Sequence, residues 1–245
     1  MKEFGLDATR TTAPNDWFEG PLGSRVLREE AALAPLALDN VFGFELLQVG
    51  AWGPARHLLD GARTQHTTLV APEIAAGVTL CAPLDTLPFR SDSIDAIFLP
   101  HTLELVEDPY AVLREAERIL TAEGCLMICG FNPFSGWGAR RAFGRVFGRP
   151  AFPPRTQRML SERRLRDWVA LLGFDVDGVY GYLPALPHKG RANATEFHAG
   201  SPWSSGAYLL KARKRVSTLT LVRPRRRVRQ RVLVGAAEHT TKVGP

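Results

Sequence analysis

The chain has 245 residues, 45% of them apolar, and a formal net charge of +6. That length and apolar share suit one α/β domain with additions and exclude a disordered chain. There is no run of about 18 apolar residues to cross a membrane, and no secretory h-region in the first twenty, so the expected compartment is the cytoplasm.

The charge is uneven. Residues 1–210 carry a net −4 and residues 211–245 a net +10, with Glu238 the tail's only acid. The basic character therefore belongs to the C-terminus. Three cysteines, Cys81, Cys125 and Cys129, are too few for a disulfide framework. Cys125 and Cys129 share strand parity and should be buried thiols facing one way. No metal site is expected, because no further ligands cluster near them.

In chain order, residues 1–15 read as a flexible N-terminus. From Asp16 to Phe42 the apolar spacing is helical, with Gly20, Pro21 and Gly23 at the entry. Phe44 to Val49 is a strand ending at Gly50, and Pro54 to Gly61 reads as a short helix opened by proline. Strands are predicted at 67–70, 78–81 and 94–99. The last is a continuous apolar run, as expected of a parallel strand covered on both faces. A charged amphipathic helix over 110–120 and a strand over 125–129 follow. Residues 131–154 read as an irregular insertion rich in Gly, Pro, Arg and aromatics. A helix over 156–172 stops at Gly173. Strands at 174–180 and 206–210 flank another irregular stretch, 181–205, whose His188, His198 and Trp203 could shape a lid. Alternating strands and helices predict a doubly wound, mostly parallel sheet with right-handed crossovers.

Leu84 to Pro133 carries a specific wording. It has Leu87-Pro88-Phe89, the strand SIDAIFL, an acid before Pro109, LREAERIL, a glycine turn and a second apolar strand. This stretch resembles class I S-adenosylmethionine-dependent methyltransferases of the type 11 group. The resemblance implies a class I methyltransferase-like α/β domain over residues 16–215, with an N-terminal helix and a sheet closed by an antiparallel strand pair. It also implies S-adenosylmethionine as cofactor and methyl transfer as the activity.

In an open parallel sheet, ligands bind beyond the C-terminal strand ends. The resemblance implies that Gln48, Gly50, Ala51, Trp52 and Gly53 hold the methionine part of the cofactor. Glu73 falls near the ribose hydroxyls, and Leu84 and Asp85 lie by the adenine. This chain has Gln48 where the family has an acid, and Trp52 and Pro54 where it has glycines. Trp52 has two readings: packing against the helix that carries Trp17 and Phe18, or an aromatic wall beside a sulfonium. A nicotinamide or flavin fingerprint would need glycine at Trp52. His101, at the end of the fourth predicted strand, is the candidate base, and a strand-end histidine bonded to backbone is the plainer reading. Asn132 is the candidate substrate contact. Its Asn-Pro-Phe context differs from the N-P-P-aromatic motif of DNA amino-methyltransferases, which follows strand four and has two prolines.

The tail, residues 216–245, holds six closely spaced arginines between Arg223 and Arg231. It is expected to be disordered and available for weak binding of RNA or another polyanion. The leading functional expectation is a methyltransferase acting on a small-molecule acceptor. A catalytically inactive binding or scaffolding protein of the same fold is one alternative, and an RNA methyltransferase assisted by the tail is another.

Overall fold

The computed structural model describes residues 15–54, 57–146, 157–184, 205–215 and 244. The chain begins with α1 (Asn15–Glu19) and α2 (Gly23–Leu38), then β1 (Glu45–Val49), β2 (His66–Ala71), β3 (Leu80–Cys81) and β4 (Ile94–Pro100). After β4 come α3 (Thr102–Leu105), α4 (Pro109–Ile119), β5 (Leu120–Phe131), α5 (Gly136–Val146), α6 (Glu162–Leu171), β6 (Phe174–Pro184) and β7 (Ser205–Lys214). The sheet order is β3-β2-β1-β4-β5-β7-β6. The first five of these strands run parallel, and β7 is antiparallel to both β5 and β6. This is the doubly wound α/β sheet with a closing antiparallel pair that the sequence predicts.

Strand alternation divides the core between the two faces. Leu126 and Ile128 of β5 point to one face, where Leu113 and Ala116 of α4 and Leu165 and Val169 of α6 cover them. Cys125, Met127 and Cys129 point to the other, where Val26, Leu33 and Leu38 of α2 and Trp137 of α5 pack. The two cysteines are buried and face the same way, and Cys81 is exposed.

Local chemistry sets the element ends. Asp108 caps α4 by accepting from the Tyr110 and Ala111 amides at 3.0 Å, with Pro109 in the first turn. Ser161 caps α6 by accepting from the Arg164 amide. The Asp95 carboxylate accepts from the Phe44 and Glu45 amides and fixes the start of β1.

Two expectations are corrected. Residues 57–61, read as helix, form turns, with the His57 amide donating to the Pro54 carbonyl at 3.5 Å and the His57 ring Nδ1 lying 2.8 Å from the same oxygen. Residues 136–146, read as irregular, form α5. Its glycines mask the helix, but Gly138 is needed because a β-carbon there would overlap the Pro133 backbone. Trp137 and Arg141, one turn apart, are the residues it buries among those described. Residues 216–243 and 245 of the tail, His188, His198 and Trp203 lie outside the described residues, as do the first fourteen residues.

Candidate active site

The C-terminal edge of the parallel strands brings the expected cofactor residues to three neighbouring strand ends. Register pairs Val49 with Val70 and Ala71 with Cys81, so the segments beginning at Gly50, Pro72 and Ala82 lie side by side. Ala51, Glu73 and Asp85 are exposed on this rim, Gly53 is half-buried, and Gln48, Trp52 and Leu84 are buried beneath it.

Gly50 is the pivot. Its φ is +98°, its amide donates to the Val70 carbonyl at 2.7 Å, and a β-carbon there would approach Thr102 Oγ1 to 2.5 Å. Thr102 itself donates to the Val49 carbonyl, tying α3 to the end of β1. The Gln48 amide nitrogen donates to the Gly50 carbonyl at 3.1 Å, while Gln48 Oε1 is buried with no partner among the described residues. An orphaned acceptor beside a glycine turn suits the α-ammonium of S-adenosylmethionine, a hydrogen-bond donor. The exposed carboxylates of Glu73 and Asp85 suit its hydroxyl and amino donors. The residues present fit the cofactor.

Behind the rim lies a polar cluster that the sequence reading assembled only in part. His101 is fully buried, in the left-handed region at φ +53°, and its amide donates to the Cys129 carbonyl. Its Nδ1 meets Glu104 Oε2 at 2.8 Å and its Nε2 meets Glu30 Oε1 at 2.7 Å. Glu30 also accepts from Trp52 Nε1 at 2.8 Å and from the Tyr182 hydroxyl at 3.1 Å. Glu104 accepts from the Phe131 amide at 2.9 Å. The imidazole is sandwiched between the Trp52 and Phe131 rings, at centroid distances of 4.4 and 4.2 Å. Trp52 in turn packs on Phe18 and Trp17.

Burial alone would lower the His101 pKa, but the Glu30 charge and hydrogen bonds to Glu104 and Glu30 outweigh it and raise it to about 9. Burial raises the Glu104 carboxyl above its usual range. At neutral pH His101 is thus an imidazolium donating to two buried carboxyl groups, and neither nitrogen carries a free lone pair.

Because the folded protein holds this proton more tightly than the unfolded chain, the stabilisation is fully present below about pH 6.5 and fades as pH rises through 9. The expected loss across that window is about 3 kcal/mol. Urea unfolding at pH 6.5 and pH 9.5 measures it. An unchanged midpoint contradicts the buried imidazolium.

Asn132 sits at the end of β5. Its side-chain amide donates to the Ser205 carbonyl at 3.0 Å, and its Oδ1 accepts from the Phe134 amide at 2.9 Å, closing the turn into α5. Glu30, Glu104 and Tyr182 were given no role in the sequence reading. Glu30 did leave a signal, since it shares helical spacing with buried Val26, Leu33, Ala34 and Ala37. A lone acid on an apolar stripe needs a buried partner.

Residues 54–128 match a family profile described as "Methyltransferase domain". The Escherichia coli (strain K12) protein YafS, described as uncharacterized, is 32% identical over 236 residues, spanning 94% of each chain. The chain belongs to the class I S-adenosylmethionine-dependent methyltransferase family. Malonyl-[acyl-carrier protein] O-methyltransferase of Halorhodospira halophila is 32% identical over 88 residues, which are 36% of this chain and 30% of that protein. Among solved structures, a Thermotoga maritima SAM-dependent methyltransferase has the same fold, with a TM-score of 0.59 and 18% identity over 82% of this chain and 94% of that one. A geranyl diphosphate methyltransferase in complex with SAM gives a TM-score of 0.54 and 18% identity, covering 80% and 89%. The methyltransferase profile begins just past the first glycine loop, where this chain departs from the family's wording.

Proposed function

We propose that this methyltransferase transfers the methyl group of S-adenosylmethionine to a small-molecule acceptor in the cytoplasm, within a domain spanning residues 16–215. The observation that carries the reading is the orphaned Gln48 oxygen under a rim of exposed Ala51, Glu73 and Asp85, on three adjacent strand ends. On this reading Gln48, Gly50, Ala51, Trp52 and Gly53 hold the methionine end, Glu73 the ribose, and Leu84 and Asp85 the adenine. The cofactor supplies an electrophilic methyl on sulfur, so that an acceptor nucleophile gains a carbon bond as the carbon–sulfur bond breaks. Much of the catalysis then lies in holding donor and acceptor in line in a dry site.

His101 is a positioning residue in this proposal, not a base. Its charge locks α2, through Glu30, and α3, through Glu104, against the rim, and orients Trp52. Asn132 acts similarly by fixing the entry to α5, which borders the acceptor side. A small acceptor fits the overall charge of the body better than RNA does, because residues 1–210 are net −4 and the positive excess lies in the tail.

Incubation of the full chain with methyl-labelled S-adenosylmethionine and fractionated cell extract tests the acceptor class. Label is expected in the low-molecular-mass fraction. Label confined to RNA would contradict the small-molecule reading and favour the tail-assisted RNA alternative.

A further inference from the structure

The strand ends at the ligand edge of the sheet divide by charge. Beyond β2 and β3 stand the exposed carboxylates of Glu73 and Asp85. On the other side, β5 and β6 end at this edge and β7 begins there, because β7 is antiparallel to both. Residues 125–139, 178–184 and 205–210, which build those ends, include no charged residue. The nearest ionic groups behind them, Glu30 and Glu104, are buried and each is bonded to His101.

On this uncharged stretch Phe134 is 75% exposed, yet the turn that carries it is fixed. Its amide donates to Asn132 Oδ1 at 2.9 Å, and the Ser135 amide donates to the Asn132 carbonyl at 3.2 Å. Asn132 is held by the start of β7: its amide donates to the Gly206 carbonyl at 2.9 Å and its side chain to the Ser205 carbonyl at 3.0 Å. One buried ring joins this turn to the first glycine loop, since the Phe131 centroid lies 6.2 Å from that of Trp52. Phe42 and Phe44 are also exposed, but they precede β1 and stand at the opposite edge of the sheet. An aromatic ring kept in water on a rigid turn gains by being covered and loses little freedom when it is.

We infer that Phe134 is one wall of the acceptor subsite and that the acceptor is a neutral molecule with a flat, apolar ring body. The inference rests on the methyl-transfer reading above and adds the chemistry of the substrate. A planar body covers the Phe134 ring by offset stacking or edge contact. Among the described residues, the uncharged strand ends offer no ionic partner to a carboxylate, phosphate or ammonium on the acceptor, and burying such a charge unpaired is costly. Phe134 holds the body of the acceptor and takes no part in the bond changes.

The full chain, incubated with methyl-labelled S-adenosylmethionine and the low-molecular-mass fraction of a cell extract, tests it when the products are partitioned between ethyl acetate and neutral water. Label is expected in the ethyl acetate. Phe134→Ser should lower that labelling about tenfold, and Phe134→Tyr, which keeps the ring, should retain it. Both variants should melt with the parent and bind S-adenosylhomocysteine as the parent does, because the ring is exposed and lies off the cofactor strand ends. Labelled small molecules that stay in the water, or a Phe134→Ser chain that labels the ethyl acetate fraction at the parent rate, would overturn the subsite while leaving methyl transfer standing. Sedimentation of parent and variant covers another occupant: self-association lost with Phe134→Ser would assign the ring to a second copy of the chain and overturn the subsite. No label in any small molecule, from a chain that binds S-adenosylhomocysteine, would remove the small-acceptor reading itself and this subsite with it.

Discussion

Replacing His101 by alanine is expected to destabilise the protein by about 3–5 kcal/mol, because it strands two buried carboxyl groups without their shared cation. For a domain of this size that corresponds to a melting temperature lower by about 10 °C. The prediction follows from geometry. Both ring nitrogens bond carboxylates within 2.8 Å, and the residue is wholly buried between Trp52 and Phe131. Adding Glu30→Gln to His101→Ala removes one of the stranded charges, so the pair should recover much of the loss. That recovery separates an electrostatic role from simple packing, since a cavity left by histidine would persist in the double variant. A His101→Ala protein that melts within about 1 °C of the parent contradicts the buried imidazolium. Thermal unfolding with matched buffers decides it.

Much of the fold was legible because its signals are local. The wording Leu87-Pro88-Phe89 followed by Leu113-Arg114-Glu115-Ala116-Glu117-Arg118 marked a crossover, and the structure gives the physical reason. Glu115 Oε1 accepts from the Leu87 amide at 2.6 Å, and Arg118 donates to the Leu87 and Phe89 carbonyls at 3.1 and 2.9 Å. One helix turn thereby clamps the preceding loop, and the Glu115 carboxyl is held below its ordinary range by the Arg118 hydrogen bond. Continuous apolar runs gave the parallel strands for the same reason, since burial on both faces leaves no alternation.

The interior of the site was less legible because it is built across long sequence separations. Glu30 and Tyr182 are 152 positions apart, and nothing in either neighbourhood announces the other. Trp52 reads as an intrusion in a glycine loop until Glu30 is seen to accept its indole N–H. Packing against Trp17 and Phe18, the plainer of its two readings, accounts for its other side. The helix α5 was hidden for a different reason. Its glycines lower helix propensity, and tertiary contact decides the helix: Gly138 sits against the Pro133 backbone, and the Trp137 indole donates to the Pro184 carbonyl.

We propose that the three strand ends around Gly50 bind S-adenosylmethionine. Gly50→Val confronts it most sharply. A β-branched residue at φ +98° is strained by about 1–3 kcal/mol, and its β-carbon would press on Thr102 Oγ1. Relief of that contact must displace the loop that presents Ala51, just beyond Gln48 at the end of β1. Calorimetric titration with S-adenosylhomocysteine, run on the parent chain and on this variant at a temperature where both are folded, is the decisive measurement. The parent should bind one equivalent, and the variant about 100-fold more weakly, a difference near 3 kcal/mol. No binding heat at about 1 mM ligand, or equal binding by parent and variant, would contradict the assignment of the cofactor to this edge.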